Sequence, residues 1–110
     1  MQKLSLEALA RELLGRAADG SNGRTAQTVV GGHERVLRQV VMAMVAGSVL
    51  AEHESPGEGS VFVLRGRVRL AAGGDSWEGR SGDLLVIPDA RHSLEAVEDS
   101  AVLMTVAKAG

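Results

Sequence analysis

The sequence predicts an all-β body, a sandwich, jelly roll or barrel of eight or nine short strands, preceded by one α-helix. Three observations carry that expectation. From Arg24 onward, apolar residues alternate with polar ones or form short unbroken runs. The runs are separated by segments such as GGHE, SPGEG, GGDS, SGD and PDAR, whose glycine, proline, aspartate and serine favour turns. Helical periodicity is confined to the N-terminal segment, so βαβ units are excluded.

In SLEALARELLGRA, Leu6, Leu9, Leu13 and Ala17 recur at three- and four-residue steps, while Glu7, Arg11 and Glu12 point elsewhere. An amphipathic helix is expected, capped by Ser5 and stopped near Gly20. DGSNGR then breaks the pattern, which divides the chain into a helix and linker over residues 1–23 and a β domain over 24–110. Strands are expected at Thr25–Val30, Val36–Ala46, Ser48–His53, Ser60–Arg65, Arg67–Ala72, Ser76–Arg80, Leu84–Ile87, His92–Ala96 and Ala101–Ala107. Two hairpins are expected, VFVLRGRVRL around Gly66 and RLAAGGDSWEGR around Gly73 and Gly74. In RVRL the period of two sets Arg67 and Arg69 on a solvated face and Val68 and Leu70 on the other. Met42, Met44 and Met104 read as core fillers, and the apolar run Val40 to Ala46 needs cover on both faces, which a second subunit would supply.

Composition narrows the function. A chain of 110 residues makes one domain, able to bury roughly 65% of the surface its unfolded form exposes. With a formal net charge of −2, and Arg65, Arg67 and Arg69 as its densest basic cluster, it offers no field for nucleic acid. Phe62 and Trp77 are its only aromatic side chains of the Phe, Trp and Tyr kinds, too few for stacking on bases or sugars. The absence of cysteine excludes a thiolate metal site and a cysteine nucleophile. No stretch reaches the ~20 apolar residues that cross a bilayer, and the N-terminus lacks a signal-peptide core, so a cytoplasmic protein is expected. GEGSVF opens a strand rather than a helix, which removes a phosphate-cradling loop, and no nucleophile-elbow motif occurs.

The remaining chemistry is histidine. Gly47, five residues and His53 begin a pattern that Gly66 closes, and GDLLVIPDARH contains Gly82, five residues, Pro88 and then His92. Over about Arg35 to Lys108 these spacings resemble the two motifs of a small single-domain cupin of the RmlC-like kind. The resemblance implies a cupin-type double-stranded β-helix, or jelly-roll barrel, with both motifs on facing strands, and a homodimer. It departs from the family at Ser55, which stands where a second histidine belongs, at Gly59, which stands for a glutamate, and at Ala90, which stands for a turn glycine.

Alternation along a regular strand sends His53 and Ser55 inward and Glu52 and Glu54 outward, while His92 arrives from a strand paired elsewhere in the sheet. The leading expectation is a binding or sensing module. Its small apolar pocket would be lined by Val49, Val61, Val63, Leu85 and Ile87, with His53, Ser55 and His92 orienting a polar group of the ligand. The rival is a metal-dependent enzyme of the dioxygenase, isomerase or decarboxylase type. There His53 and His92 would hold Zn, Fe, Mn or Ni, with Glu58, turned inward by the Pro56-Gly57 turn, or His33 as a further donor. A third reading is an interaction protein without a working pocket.

Overall fold

The computed structural model describes residues 2–54 and 57–108. In chain order the elements are α1 (Leu6–Asp19), β1 (Arg24–Val30), β2 (Leu37–Met44), β3 (Val49–His53), β4 (Gly57–Arg65), β5 (Arg67–Ala72), β6 (Asp75–Arg80), β7 (Leu84–Val86), β8 (His92–Ala96) and β9 (Ser100–Lys108). The strands form two antiparallel sheets, one ordered β1-β2-β9-β4-β7 and the other β3-β8-β5-β6. Most strand limits fall within a few residues of the expected ones. The largest difference is β4, which starts at Gly57 rather than Ser60 because Gly57, Glu58 and Gly59 continue the ladder opposite Lys108, Ala107 and Val106.

Helix α1 begins where expected: the Ser5 hydroxyl accepts from Ala8 N at 3.2 Å, and at the other end Gly20 N donates to Ala17 O at 3.2 Å. Its buried face, Leu13 and Ala17, packs on Val41 and Ala43 of β2, with Leu6, Leu9, Leu64 and Leu103 around them. The run at Val40 to Ala46 therefore has its outer face covered by the chain's own helix, and no second subunit is required for that purpose. On the other side of the same strand Met42 and Met44 enter the core between the sheets, with Val61, Val63, Val68, Leu70, Leu94, Ala96 and Val102.

Of the two expected hairpins, one forms. β5 and β6 pair from Arg67 opposite Arg80 to Ala72 opposite Asp75, turning through Gly73 at φ 61°. β4 and β5 belong to different sheets, so the chain at Gly66 crosses from one layer to the other. The crossing is fastened to the start of β9. The buried Ser100 hydroxyl accepts from Arg67 N at 3.0 Å and reaches the carbonyls of Arg67 at 3.0 Å and Glu98 at 2.7 Å for its own proton.

Arg67 and Arg69 lie on the outer face, as alternation requires. Arg67 pairs with Glu78 at 2.6 Å, and Arg69 bridges Glu78 at 3.1 Å and Glu95 at 3.0 Å. The hydrogen bonds from Arg67 and then Arg69 hold the Glu78 carboxyl below its ordinary 4.5. A depressed carboxylate stabilises the fold above the unfolded value, and that contribution is lost as pH falls through the folded value. Urea midpoints measured downward from pH 4.5 should thus fall more steeply for the wild type than for Glu78→Gln, and added salt should narrow the gap. Parallel acid limbs would contradict this account.

Candidate functional site

The site is set by an irregularity in β3. Leu50 stands opposite Leu94 of β8, and His53 stands opposite His92, so Ala51 and Glu52 together face the single residue Ser93. One extra residue in a strand is a β-bulge, and it resets the alternation. Leu50 and His53, three positions apart, consequently both face the interior, while Glu52 and Glu54 stay outside. There the two acids clamp Arg91, at 2.9 Å from Glu52 and 3.0 Å from Glu54, which raises the guanidinium pKa and ties the entry of β8 to the end of β3.

The two imidazoles are brought together, and more directly than expected, for β3 and β8 are neighbours rather than strands paired elsewhere in the sheet. Their ring centroids are 4.4 Å apart with the planes at 60°, an edge-to-face contact. Nδ1 of His53 lies 2.9 Å from Ala51 O, and Nδ1 of His92 lies 3.0 Å from Ala90 O. A carbonyl only accepts, so each Nδ1 donates its hydrogen there, which in the tautomer compatible with that bond leaves the lone pair on Nε2. His92 is buried, with 4% of its surface exposed, and His53 is half-buried.

Both line a cavity of about 290 Å³ between the sheets. Strand register arranges its wall in layers. At the open end Arg38 of β2 stands opposite Val106 of β9, which stands opposite Gly59 of β4, with Lys108 beyond and the histidines on the facing sheet. The next layer is apolar: Val40, Met104 and Val61 from one sheet, Leu50, Leu94 and Leu70 from the other, with Ile87 closing the side. Below it Met42, Val102 and Val63 meet Val68 and Ala96 in the sealed core.

The sequence-derived site residues separate accordingly. His53, His92, Val61 and Ile87 line the cavity. Val63 lies one layer deeper, fully buried in the core and off the cavity wall, because it follows Val61 by one strand repeat toward the closed end. Val49 is exposed, being on the outward side of β3, and Leu85 packs against the core from β7. Ser55 lies outside the described residues. Glu58 is exposed on β4, on the face opposite Gly59 and Val61, and borders a separate groove with Asp89; no turn rotates it inward because Gly57 and Glu58 are already in the ladder. His33 sits in the loop before β2, its carbonyl accepting from Lys108 Nζ at 3.0 Å.

The sequence reading passed over Arg38, Lys108, Leu50, Leu94 and the cavity role of Met104. Arg38 was detectable: it is in phase with Val40, Met42 and Met44, so a period of two from the core methionines leads back to it.

A resident divalent ion, which the family's motifs imply, does not fit the described residues. The inward place that a carboxylate would take is Gly59, where a Cβ would meet Thr105 O at 3.0 Å and Ile87 Cδ1 at 3.1 Å. No group of three His, Cys, Asp or Glu side chains among the described residues is arranged to hold a metal. Two imidazoles fall short of the three or four donors such ions normally take, and the charged side chains on the cavity wall, Arg38 and Lys108, are cations.

This geometry defines a class: a small jelly-roll barrel with its site at the open end, between two sheets. Solved structures agree. The chain is 27% identical to an RmlC-like cupin from Desulfovibrio desulfuricans, covering 76% of this chain and 81% of that one with a TM-score of 0.67. A conserved protein of unknown function from Streptococcus pyogenes is 25% identical, over 83% of this chain and 79% of that one, with a TM-score of 0.73. A cupin superfamily protein from Desulfitobacterium hafniense shares the fold at 13% identity, with 78% of each chain covered and a TM-score of 0.71. The chain has the jelly-roll fold of small RmlC-like cupins and is similar to them. No family model matches it, and no curated protein does. No helix among the described residues is long and apolar enough to cross a membrane.

Proposed function

We propose that this protein is a cytoplasmic small-molecule binding or sensing cupin whose ligand occupies the cavity between the sheets. The observation that carries the reading is the pair of buried and half-buried imidazoles, each fixed through Nδ1, above a layer of apolar side chains. Nε2 then accepts a hydrogen bond from a hydroxyl or N–H of the ligand, while Leu50, Leu94 and Met104 take its apolar part. Methyl NMR during a screen of small organic compounds tests it: binders should shift the Leu94, Ile87 and Met104 methyls. A screen in which no compound moves those methyls would count against binding.

The rival reading, a metal-dependent enzyme using His53 and His92, rests on the same two Nε2 atoms and lacks the further donors described above. Elemental analysis of untagged protein separates the two. The binding reading expects no stoichiometric Zn, Fe, Mn or Ni and an unfolding temperature indifferent to EDTA. Stoichiometric metal that is lost in His53→Ala or His92→Ala would favour the enzyme. We also propose a homodimer, for which the exposed Trp77, Leu84 and Val86, at 47%, 60% and 74% of their full exposure, offer an apolar surface; sedimentation equilibrium checks it.

A further inference from the structure

The charged side chains that line the cavity itself are of one sign, while the acids Glu58 and Asp89 border an adjoining groove that shares Ile87 and Lys108 with it. Arg38 enters from β2 in phase with Val40, and Lys108 enters from β9 in phase with Val106. The Lys108 ammonium is steadied by donating to the carbonyls of Gly32 at 3.1 Å and His33 at 3.0 Å. Arg67, Arg69 and Arg91 are matched to glutamates on the outer surface, but the Arg38 guanidinium has no acidic partner among the described residues. No described residue lining the cavity is acidic. Beneath the two cations the wall turns apolar within one strand repeat, at Val40, Leu50, Leu94 and Met104.

We propose that the ligand is a small organic monocarboxylate, held with its carboxylate at the rim against Arg38 and Lys108 and its hydrocarbon body inserted between the two sheets. This rests on the small-molecule reading above and adds the ligand's class. A guanidinium presents paired donors in the geometry a carboxylate accepts. A single negative charge suits the site because the body of the molecule must enter a layer with no polar partner beyond the imidazoles, where a dianion would lose more hydration than two rim cations return. At about 290 Å³ the cavity is at the small end of ligand sites, which limits the body to a short chain or one ring.

The test titrates wild type, Arg38→Gln and Arg38→Lys with linear and branched monocarboxylates of butyrate to octanoate length, their hydroxy derivatives, which supply the donor that Nε2 accepts, benzoate, the matching primary amides and the matching alkyl phosphates. Affinity is read by calorimetry and by the Leu94, Ile87 and Met104 methyl shifts. Wild type is expected to bind at least one carboxylate about tenfold or more tightly than its amide, the effect of a charge-assisted pair. Arg38→Gln should shrink that preference severalfold, the remainder resting on Lys108, with a smaller change in the amide's affinity than in the acid's, and Arg38→Lys should retain more of it. Arg38 is exposed and has no ion pair among the described residues, so the variants should fold, and their unfolding midpoints are measured alongside. Amides binding as tightly as acids, acids indifferent to Arg38→Gln, or alkyl phosphates preferred over carboxylates would overturn the carboxylate assignment and leave the small-molecule reading standing. If neither acids nor amides move the methyls, both fall.

Discussion

Replacing Gly66 by alanine is expected to cost about 3 kcal/mol of unfolding free energy, a large share of a small domain's total. Its φ of 79° is left-handed, which alone costs a side-chain-bearing residue roughly 1–2 kcal/mol. The remainder comes from space. A Cβ there would collide with the carbonyl oxygen of Asp99 and the hydroxyl of Ser100, and would approach Ser100 Cα to 2.9 Å. Two of those three atoms belong to the backbone and cannot swing away, so the crossing between sheets and the Ser100 bonds to Arg67 must shift together. Gly73→Ala is the control: its φ of 61° is also left-handed, but nothing lies within 4 Å of the added carbon. Urea denaturation should therefore show the loss at Gly73 to be the backbone part alone. Equal losses at the two positions would refute the steric argument.

Leu13→Ala is the other large effect, expected at about 3 kcal/mol for a fully buried leucine truncated in a packed cluster. Leu13 is 1% exposed and anchors α1 to Val41 and Ala43, so its loss leaves a cavity at the centre of the helix-sheet seam rather than at its edge. Hydrogen exchange should speed throughout α1 while the β5–β6 hairpin, which makes no part of that cluster, keeps its protection relative to the new global stability. Glu12→Ala, one residue away on the exposed face, removes only a surface pair with Arg16 and should change stability by less than about 0.5 kcal/mol. A similar loss at both positions would mean that the helix is not fixed by Leu13.

The helix and the number of strands were legible in the sequence, because both depend on periodicity and turn chemistry that act locally; regular alternation sent His53 inward together with Val49, whereas the bulge at Ala51 and Glu52 pairs it with Leu50 and leaves Val49 outside. The pairing of strands was not legible. VFVLRGRVRL has the alternation and the central glycine of a hairpin, and only the requirement that Val61 and Val63 face Val68 and Leu70 across a core, rather than beside them in a sheet, separates the two outcomes. That requirement is long-range. The same holds for the cover over Val41 and Ala43, which the sequence assigns equally well to a second subunit or to the helix that occupies it. Within the site, Glu58 was assigned to a turn because Pro56-Gly57 looks like one, whereas the ladder to Lys108 and Ala107 begins at Gly57 and fixes Glu58 outward by parity. Arg38 was missed for a different reason: an arginine near a strand end is read as solvated by default, and its inward phase has meaning only once the core methionines are known to mark the interior side.

The two-against-one station at Ala51, Glu52 and Ser93 makes the placing of the two imidazoles sensitive to chain length as well as to residue identity. Deleting Ala51 or Glu52 would leave regular alternation from Leu50 to His53 and keep that ring indoors. Deleting Ser93, on the opposite strand, would swing His92 to the outside while Leu94 held its place. A single codon lost at neighbouring positions thus has opposite consequences for where the second imidazole lies.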